Sequence, residues 1–443
     1  MSEAARPLSR ILGLGFGLAI VFGGTVGTGI LVLPGTLAAA LGDSRLIVLF
    51  WILGGVWALL GAVSVAELAA MLPEAGGFYV YAKRAFGGGL GFIVGWIDWL
   101  NQVCALSYAA LTVALFLGQL LPAVAGVPKW VAFGTLAMFT TVHWLGLKIG
   151  STVTNLISLT VALMLLLLVV GCFASPGIGG GGVPPAGSAV NLPLLSLGML
   201  SVVVTALRNV FVSYDGWYSA IYTAEESTDP ARTLPRAMIG GALLIAAIYV
   251  LVNVAILRVL SIPALAASHL PAADAASVVM PRGGRMLVTV ISLTVVLSLV
   301  NATLLMTPRI LFAIGRDGFF TEKAAVVSRS GTPRVALGVT AAAAAVLSVL
   351  GSFEQIVAIA AVMFLLLYLS CYAALFTLRR REPSLHRPYR AWGYPVTTSI
   401  VLVGCFALWI AAIAADQASA LRAAGLLVLC VPVYLWLKRR RQA

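Results

Sequence analysis

Charge is what this chain has least of. Charged side chains make up 10% of its 443 residues, hydrophobic ones 61%, and the mean hydropathy is +1.05. So little charge excludes an ordinary soluble domain and leaves a polytopic membrane protein. Histidine is scarce too: His143, His269 and His386 are scattered and form no metal set. The five cysteines (Cys104, Cys172, Cys371, Cys405 and Cys430) lie in apolar stretches with neither metal-ligand spacing nor a loop partner. They read as buried structural thiols. The chain also lacks a Walker loop, a Ser–His–Asp grouping and an HExxH helix. An ATP-driven pump and a membrane protease find no support. No cofactor is implied, and the chain is not expected to be an enzyme. Arg6 and Arg10 precede an apolar stretch far longer than a signal-peptide core, with no cleavage pattern after it, so no signal peptide is expected.

What the chain does have is long apolar runs. We read twelve spans, at about 11–38, 46–70, 88–121, 128–147, 150–173, 197–224, 236–260, 285–315, 334–351, 354–378, 394–414 and 418–437. The net charge of +13 sorts with them. Lys83, Arg84, Arg232, Arg236, Arg309, Arg316 and Arg379–Arg381 fall on the side of the N-terminus, with most of the 28 basic residues. The opposite side holds few, among them Arg45, Lys129, Arg258 and Arg285. The positive-inside rule then puts both termini in the cytoplasm, in a plasma or bacterial inner membrane. The basic excess is topological and does not point to nucleic acid; the tail at 438–443 is suited to anionic lipid.

Two of the apolar runs are interrupted at corresponding places: Gly23-Gly24-Thr25-Val26-Gly27-Thr28-Gly29-Ile30 in span 1, and Phe211-Val212-Ser213-Tyr214-Asp215-Gly216-Trp217 in span 6. In lipid every backbone polar group needs a partner, so a broken helix is tolerated only beside protein or a water-filled cavity. Paired breaks, one in each half, point to the binding site of a transporter built from inverted repeats. The organisation expected is a cytoplasmic N-terminus at 1–10, a first repeat (spans 1–5) over 11–174, an outer Gly/Pro-rich linker over 175–196, and an inverted second repeat (spans 6–10) over 197–378. A cytoplasmic loop at 379–393 and two further spans over 394–437 complete it.

Each break has its own chemistry. If span 1 unwinds near Val26–Gly29, the second half-helix begins near Thr28, and its free N–H groups and positive dipole end suit a carboxylate. Pro34 is a second local weakness. If the first half of span 6 ends near Ser213, the last carbonyls (Phe211, Val212, Ser213) suit an ammonium group. The two poles describe the backbone of an amino acid. Phe211, Tyr214 and Trp217 are the aromatics placed to cover it. The competing reading is that the glycines serve only close helix packing.

Ionisable residues inside spans are functional candidates by default. They are Asp98, Arg208 and Asp215; Arg208 is placed either to pair with Asp215 or to line an outer vestibule. Glu67, Glu225 and Glu226 lie near the inner face beside Lys83, Arg84, Arg232 and Arg236. They read either as solvated charge or as an intracellular gate of ion pairs.

At these residues the chain resembles the amino acid–polyamine–organocation superfamily, most of all the bacterial relatives of the L-type amino acid transporters. The likeness is carried by Gly27-Thr28-Gly29-Ile30, by 67–79 with 81–87 (read as the loop after span 2), by Tyr214-Asp215-Gly216-Trp217 with Glu225-Glu226 and 229–237, and by 309–319 with Gly331-Thr332-Pro333. It implies twelve spans in a five-plus-five inverted repeat with two added helices, and alternating access. It also implies that the amides of Thr28, Gly29 and Ile30 meet a substrate carboxylate while Val26, Phe211 and Ser213 serve its amine. Many relatives carry a lysine in span 5; the matching position falls near Val161, and span 5 has no lysine after Lys148. That leaves the coupling ion open between protons and, less favoured, sodium, with Ser298 and Asn301 of span 8 as candidates. Asp215 stands where a small or apolar residue is usual. The loop 121–128 has no cysteine, so no disulfide-linked heavy subunit, as in the animal heteromers, is expected. The function expected is carriage of neutral L-amino acids by exchange or proton-coupled symport, with a cationic amino acid or polyamine carrier as the alternative. An amino acid sensor is the rival from another class.

Overall fold

The computed structural model describes residues 7–175, 197–350, 353–418, 420–425, 428, 430, 432 and 434. Residues 176–196 of the expected linker at 175–196, the tail at 438–443 and nine of the twenty residues of the last span at 418–437 lie outside the described residues. A chain this apolar satisfies its backbone locally, and helix is how it does so. The helices are α1 (Leu14–Thr25), α2 (Gly29–Leu41), α3 (Ser44–Met71), α4 (Phe78–Phe86), α5 (Gly88–Leu120), α6 (Pro128–Leu145), α7 (Leu147–Ala174), α8 (Leu197–Ser213), α9 (Pro230–Val259), α10 (Ile262–Ala266), α11 (Pro271–Val279), α12 (Gly284–Met306), α13 (Pro308–Arg316), α14 (Arg334–Leu350), α15 (Phe353–Arg381) and α16 (Val396–Ala415). Among the described residues the only extended pairing is an isolated bridge between Leu12 and Ser227.

Among the described residues seven helices are long and apolar enough to cross a membrane: α3, α5, α7, α9, α12 continued by α13, the Val362–Arg381 part of α15, and α16. The pair α1 and α2, bent by 44° at its break, makes an eighth. Val202–Ser213 within α8 and α14 are apolar but shorter. The chain is an integral membrane protein. Helix α7 shows how its two faces divide. Leu156, Leu159, Leu163, Leu166 and Val170 are exposed at helical spacing, while Thr154, Ser158, Val161 and Leu165 are buried. The exposed stripe is a lipid face and the buried one packs on the bundle.

Glycine sets the closest helix crossings. A methyl on Gly17 of α1 would lie 2.8 Å from Ala237 Cβ of α9, and one on Gly55 of α3 would lie 2.7 Å from Ala246 Cβ of α9. These contacts bind α9 to both α1 and α3. Gly42, at a φ of 66°, ends α2, and Asp43 starts α3 by accepting from the amides of Arg45 (2.6 Å) and Leu46 (3.3 Å).

Two local expectations are corrected. Residues 78–86, read as part of a loop, form α4, whose Phe78, Tyr79, Tyr81 and Ala85 are buried while Lys83 and Arg84 close its last turn. Pro34, read as a local weakness, lies inside a continuous α2. The second half of the sixth span is not an α-helix but a 3-10 segment, Ser219–Glu226.

Candidate functional site

Helix α1 stops at Thr25 and α2 starts at Gly29, so the first break falls where the glycines predict it. Helix α8 stops at Ser213, also as expected. The two breaks touch. A methyl on Gly216, whose φ is +119°, would run into the carbonyl of Gly24, and one on Gly29 would lie 2.6 Å from Ser213 Oγ. The hydroxyl of Tyr249 on α9 reaches both breaks, 3.3 Å from the Thr25 carbonyl and 3.1 Å from that of Ser213.

Beside the contact lies a cavity of about 290 Å³. The first break contributes Gly24, Thr25, Gly27, Thr28 and Gly29 to its wall; the second contributes Val212, Ser213, Asp215 and Gly216. The rest comes from α5 (Asn101, Gln102, Tyr108 and Thr112 among others), from Tyr218, from Val296, Leu299, Thr303 and Met306 of α12, and from Ala360 and Phe364 of α15. Of the first-turn amides of α2, that of Leu31 donates to Thr28 O at 3.0 Å, while those of Gly29 and Ile30 precede any acceptor in the helix, so the Thr28–Gly29 wall presents N–H groups. The carbonyls of the second break are already in use: Phe211 O accepts from Tyr214 N and Val212 O from Asp215 N, each at 3.1 Å. Each retains one lone pair.

The other residues named from the sequence sit elsewhere. Val26 and Ile30 are buried in the packed core. Tyr214 is buried and donates to Trp51 O at 2.8 Å, so it is not a lid. Phe211 stacks on Trp57 at 4.7 Å, and Trp217 on Tyr368 at 5.5 Å. With Arg208, these two line a small side cavity separated from the first by Val212 and Phe364. Among the described residues Arg208 makes no ion pair, so of its two alternatives the pairing with Asp215 does not form. Asp215 instead accepts a hydrogen bond from Tyr368. Asp98 is buried below the cavity, accepting from the Tyr222 hydroxyl at 2.8 Å, and that hydroxyl accepts from Gln102 at 3.1 Å.

Behind the first break lies a polar pocket between α1, α7 and α12. Ser158 donates to Ala19 O at 2.8 Å, and a methyl on Gly23 would meet Ser298 Oγ at 2.8 Å and Ser158 Oγ at 3.0 Å. Asn301 donates to Thr154 Oγ1 at 2.8 Å. The α7 residue that reaches the backbone of α1 is Ser158; Val161, the position matched to the relatives' lysine, is buried among apolar neighbours.

The acidic residues at the far end all have partners, though not those their sequence neighbourhood suggests. Glu67 is fully buried and accepts from Arg379 at 2.9 and 2.5 Å and from Ala391 N at 2.7 Å, with Arg387 at 3.3 Å. Glu226 pairs with Arg309 at 3.0 Å, both buried. Glu225 pairs with Arg316 at 2.8 Å and accepts from Ala75 N at 3.0 Å. Lys83 pairs with Asp317 at 2.6 Å and Arg84 with Glu382 at 2.8 Å.

Sequence reasoning missed the α5 wall. Its signal was present: Asn101, Ala105, Tyr108 and Thr112 recur at steps of four, three and four, one helical face of polar and small residues within an apolar run.

A membrane helix broken against a second broken helix, with a small mixed-polarity cavity between them, agrees with what comparison with known proteins finds. The family profile described as amino acid permease matches residues 17–431. The chain is 27% identical to the serine/threonine exchanger SteT of Bacillus subtilis over 453 aligned residues, covering 100% of both chains. It is 25% identical to the branched-chain amino acid permease BcaP of the same organism, over 92% of this chain and 89% of that one. It is 26% identical to the mouse b(0,+)-type amino acid transporter 1, over 89% of this chain and 81% of the relative. These relatives are transporters, not enzymes. The chain belongs to the amino acid permease family, within the amino acid–polyamine–organocation superfamily.

Proposed function

We propose that this protein carries neutral L-amino acids across the membrane by alternating access, as an exchanger or a proton-coupled symporter. The observation that carries the reading is the meeting of two helix breaks across one cavity. Free amides lie on its Thr28–Gly29 wall, and the carbonyl-bearing end of α8 lies on the other. A carboxylate at the first and an ammonium at the second leave the substrate side chain facing α5, α12 and α15. A volume of about 290 Å³ is at the small end for a ligand pocket, which favours a small amino acid.

In this reading the chain has twelve spans in two inverted five-span repeats with two more after them, and both termini are cytoplasmic. The paired ions at the end of α3, α13 and α15 then form the inner gate, closed in this structure. A pair broken in every cycle must be weak. Glu225–Arg316 and Lys83–Asp317, each part-exposed, fit at about 1 kcal/mol or less apiece. Glu226–Arg309 is too deeply buried for that and acts as a fixed pivot.

The test is uptake of a labelled amino acid mixture into proteoliposomes, with and without unlabelled amino acids inside. Uptake that requires internal substrate and ignores imposed gradients makes the protein an exchanger. Accumulation driven by a proton gradient in empty vesicles makes it a symporter. No saturable uptake in either arrangement overturns the proposal. A second reading, a carrier of cationic amino acids or polyamines, is favoured by one observation. Asp215 lines the cavity and no basic residue pairs with it among the described residues. Asp215→Asn is expected to leave neutral uptake within about threefold if the first reading holds, and to abolish cationic uptake selectively if the second does.

A further inference from the structure

A groove opens beside the N-terminal end of α9, between that helix and the 388–392 segment that follows α15; its volume is about 470 Å³. Its two ends differ chemically. Arg232 and Arg236 hold one end, four residues apart and so on one helix face. Arg236 is exposed with no acidic partner among the described residues. Arg232 is 3.9 Å from Asp229, a distance at which an exposed pair contributes little. Gly240 and Leu243 continue the same face toward the apolar length of α9, and Leu243 is 52% exposed. Tyr389 and Trp392 form the opposite wall, with Trp392 64% exposed. Tyrosine and tryptophan favour the level at which acyl chains meet headgroups.

The groove joins two arginines at one end of the helix face, an apolar floor at the other and an aromatic wall across from them, the chemistry of a phosphate, an acyl chain and the glycerol level between. We propose that this groove holds one anionic phospholipid, its phosphate between Arg232 and Arg236 and one chain laid over Gly240 and Leu243. A zwitterionic headgroup brings an ammonium toward the two guanidinium groups, so a net negative charge is selected.

The wall across from α9 is tied to the gate. Ala391 N donates to Glu67 Oε2 at 2.7 Å, and Arg387 lies 3.3 Å from Glu67 Oε1. Glu67 ends the helix that packs along α9. A lipid seated between α9 and 388–392 therefore braces the Glu67 clamp from its membrane side.

The full-length protein in detergent is titrated with phosphatidylglycerol, with phosphatidylcholine of the same chains, and with glycerol phosphate as the headgroup alone. Bound lipid is read by native mass spectrometry and thermal unfolding. One phosphatidylglycerol is expected to remain per protein, in preference to phosphatidylcholine, with no effect of glycerol phosphate. Arg232→Gln with Arg236→Gln is expected to weaken phosphatidylglycerol about thirty-fold while leaving the lipid-free melting temperature unchanged. Gly240→Trp, at a position where an added Cβ meets only Leu18 at 3.7 Å, is expected to weaken both lipids by filling the groove. Equal affinity for the two lipids, or undiminished phosphatidylglycerol binding by the double variant, overturns the proposal. Glycerol phosphate competing as well as whole lipid overturns it too, by assigning the arginines to a soluble phosphate. None of these readouts depends on transport.

Discussion

The two helix breaks do complementary work with opposite materials. The first is glycine and threonine: Gly24, Gly27 and Gly29 keep side chains out of the way, so what they turn to the cavity is backbone. The second is aromatic: Tyr214, Trp217, Tyr218 and Tyr222 are all buried, and the carbonyls ahead of them are closed into a turn. An open backbone recognises what all amino acids share. A rigid aromatic stack fixes where the carboxylate of Asp215 points and joins the cavity to the ion pairs at Glu225 and Glu226. If the proposed function holds, the first break is the half of the site that meets what all amino acids share, and the second is the half in which selectivity and gating can be written.

That division is broken most severely at the foot of the second stack. Removing Arg309 strands Glu226 in a site where both are almost wholly buried. Arg309→Leu is expected to cost about 3–5 kcal/mol, seen as a collapse of the melting temperature and of membrane yield. The pair Arg309→Met with Glu226→Gln is expected to restore folding, because no charge is then left uncompensated. The next largest effect is at the contact between the breaks. Gly216→Ala places a Cβ at a φ of +119° and against the Gly24 carbonyl. Its expected cost is about 3 kcal/mol, with transport lost, measured by thermal unfolding and vesicle uptake.

Two glycines of the first break sharpen the comparison because they differ in space alone. Gly27 borders the cavity and nothing lies within 4 Å of an added Cβ; at Gly29 a Cβ meets Ser213 Oγ at 2.6 Å. Gly27→Ala is expected to keep the melting temperature and to weaken substrate binding about tenfold by occupying the ligand's place. Gly29→Ala is expected to lower stability by about 1–2 kcal/mol as well. Equal behaviour of the two would mean that the open side of the first break is not where substrate sits.

Both break positions were legible in the sequence to within a residue or two, because glycine clusters and polar residues in an apolar run have few explanations in lipid. Where the aromatics of the second break turn was not. Tyr214, Phe211 and Trp217 are close to the break in sequence, but which way they turn depends on Trp51, Trp57 and Tyr368, each more than 150 residues away. The ion pairs failed for the same reason. Glu67 and Glu226 find arginines at 379 and 309, not the basic residues nearest along the chain, because helices that end at one level of the bundle meet regardless of order. The α5 wall was visible in principle as a helical stripe, but it lacked a break or a charge to draw attention to it.

The smallest effect expected is also the most direct probe of whether the breaks act together. The Tyr249 hydroxyl sits within bonding distance of a carbonyl from each, yet it has one proton, so it donates to Thr25 or to Ser213 at any moment. Tyr249→Phe removes that shared donor while keeping the ring, which packs against Trp51 at 5.4 Å and Tyr214 at 4.9 Å. The expected loss of stability is about 1 kcal/mol, the net worth of one hydrogen bond. If the two breaks move as one unit, the larger consequence is kinetic. Transport rate should fall several-fold with substrate affinity nearly unchanged, since the cavity wall does not include Tyr249. If affinity falls and rate does not, the hydroxyl holds the shape of the first break alone, and the aromatic half of the site moves independently of it.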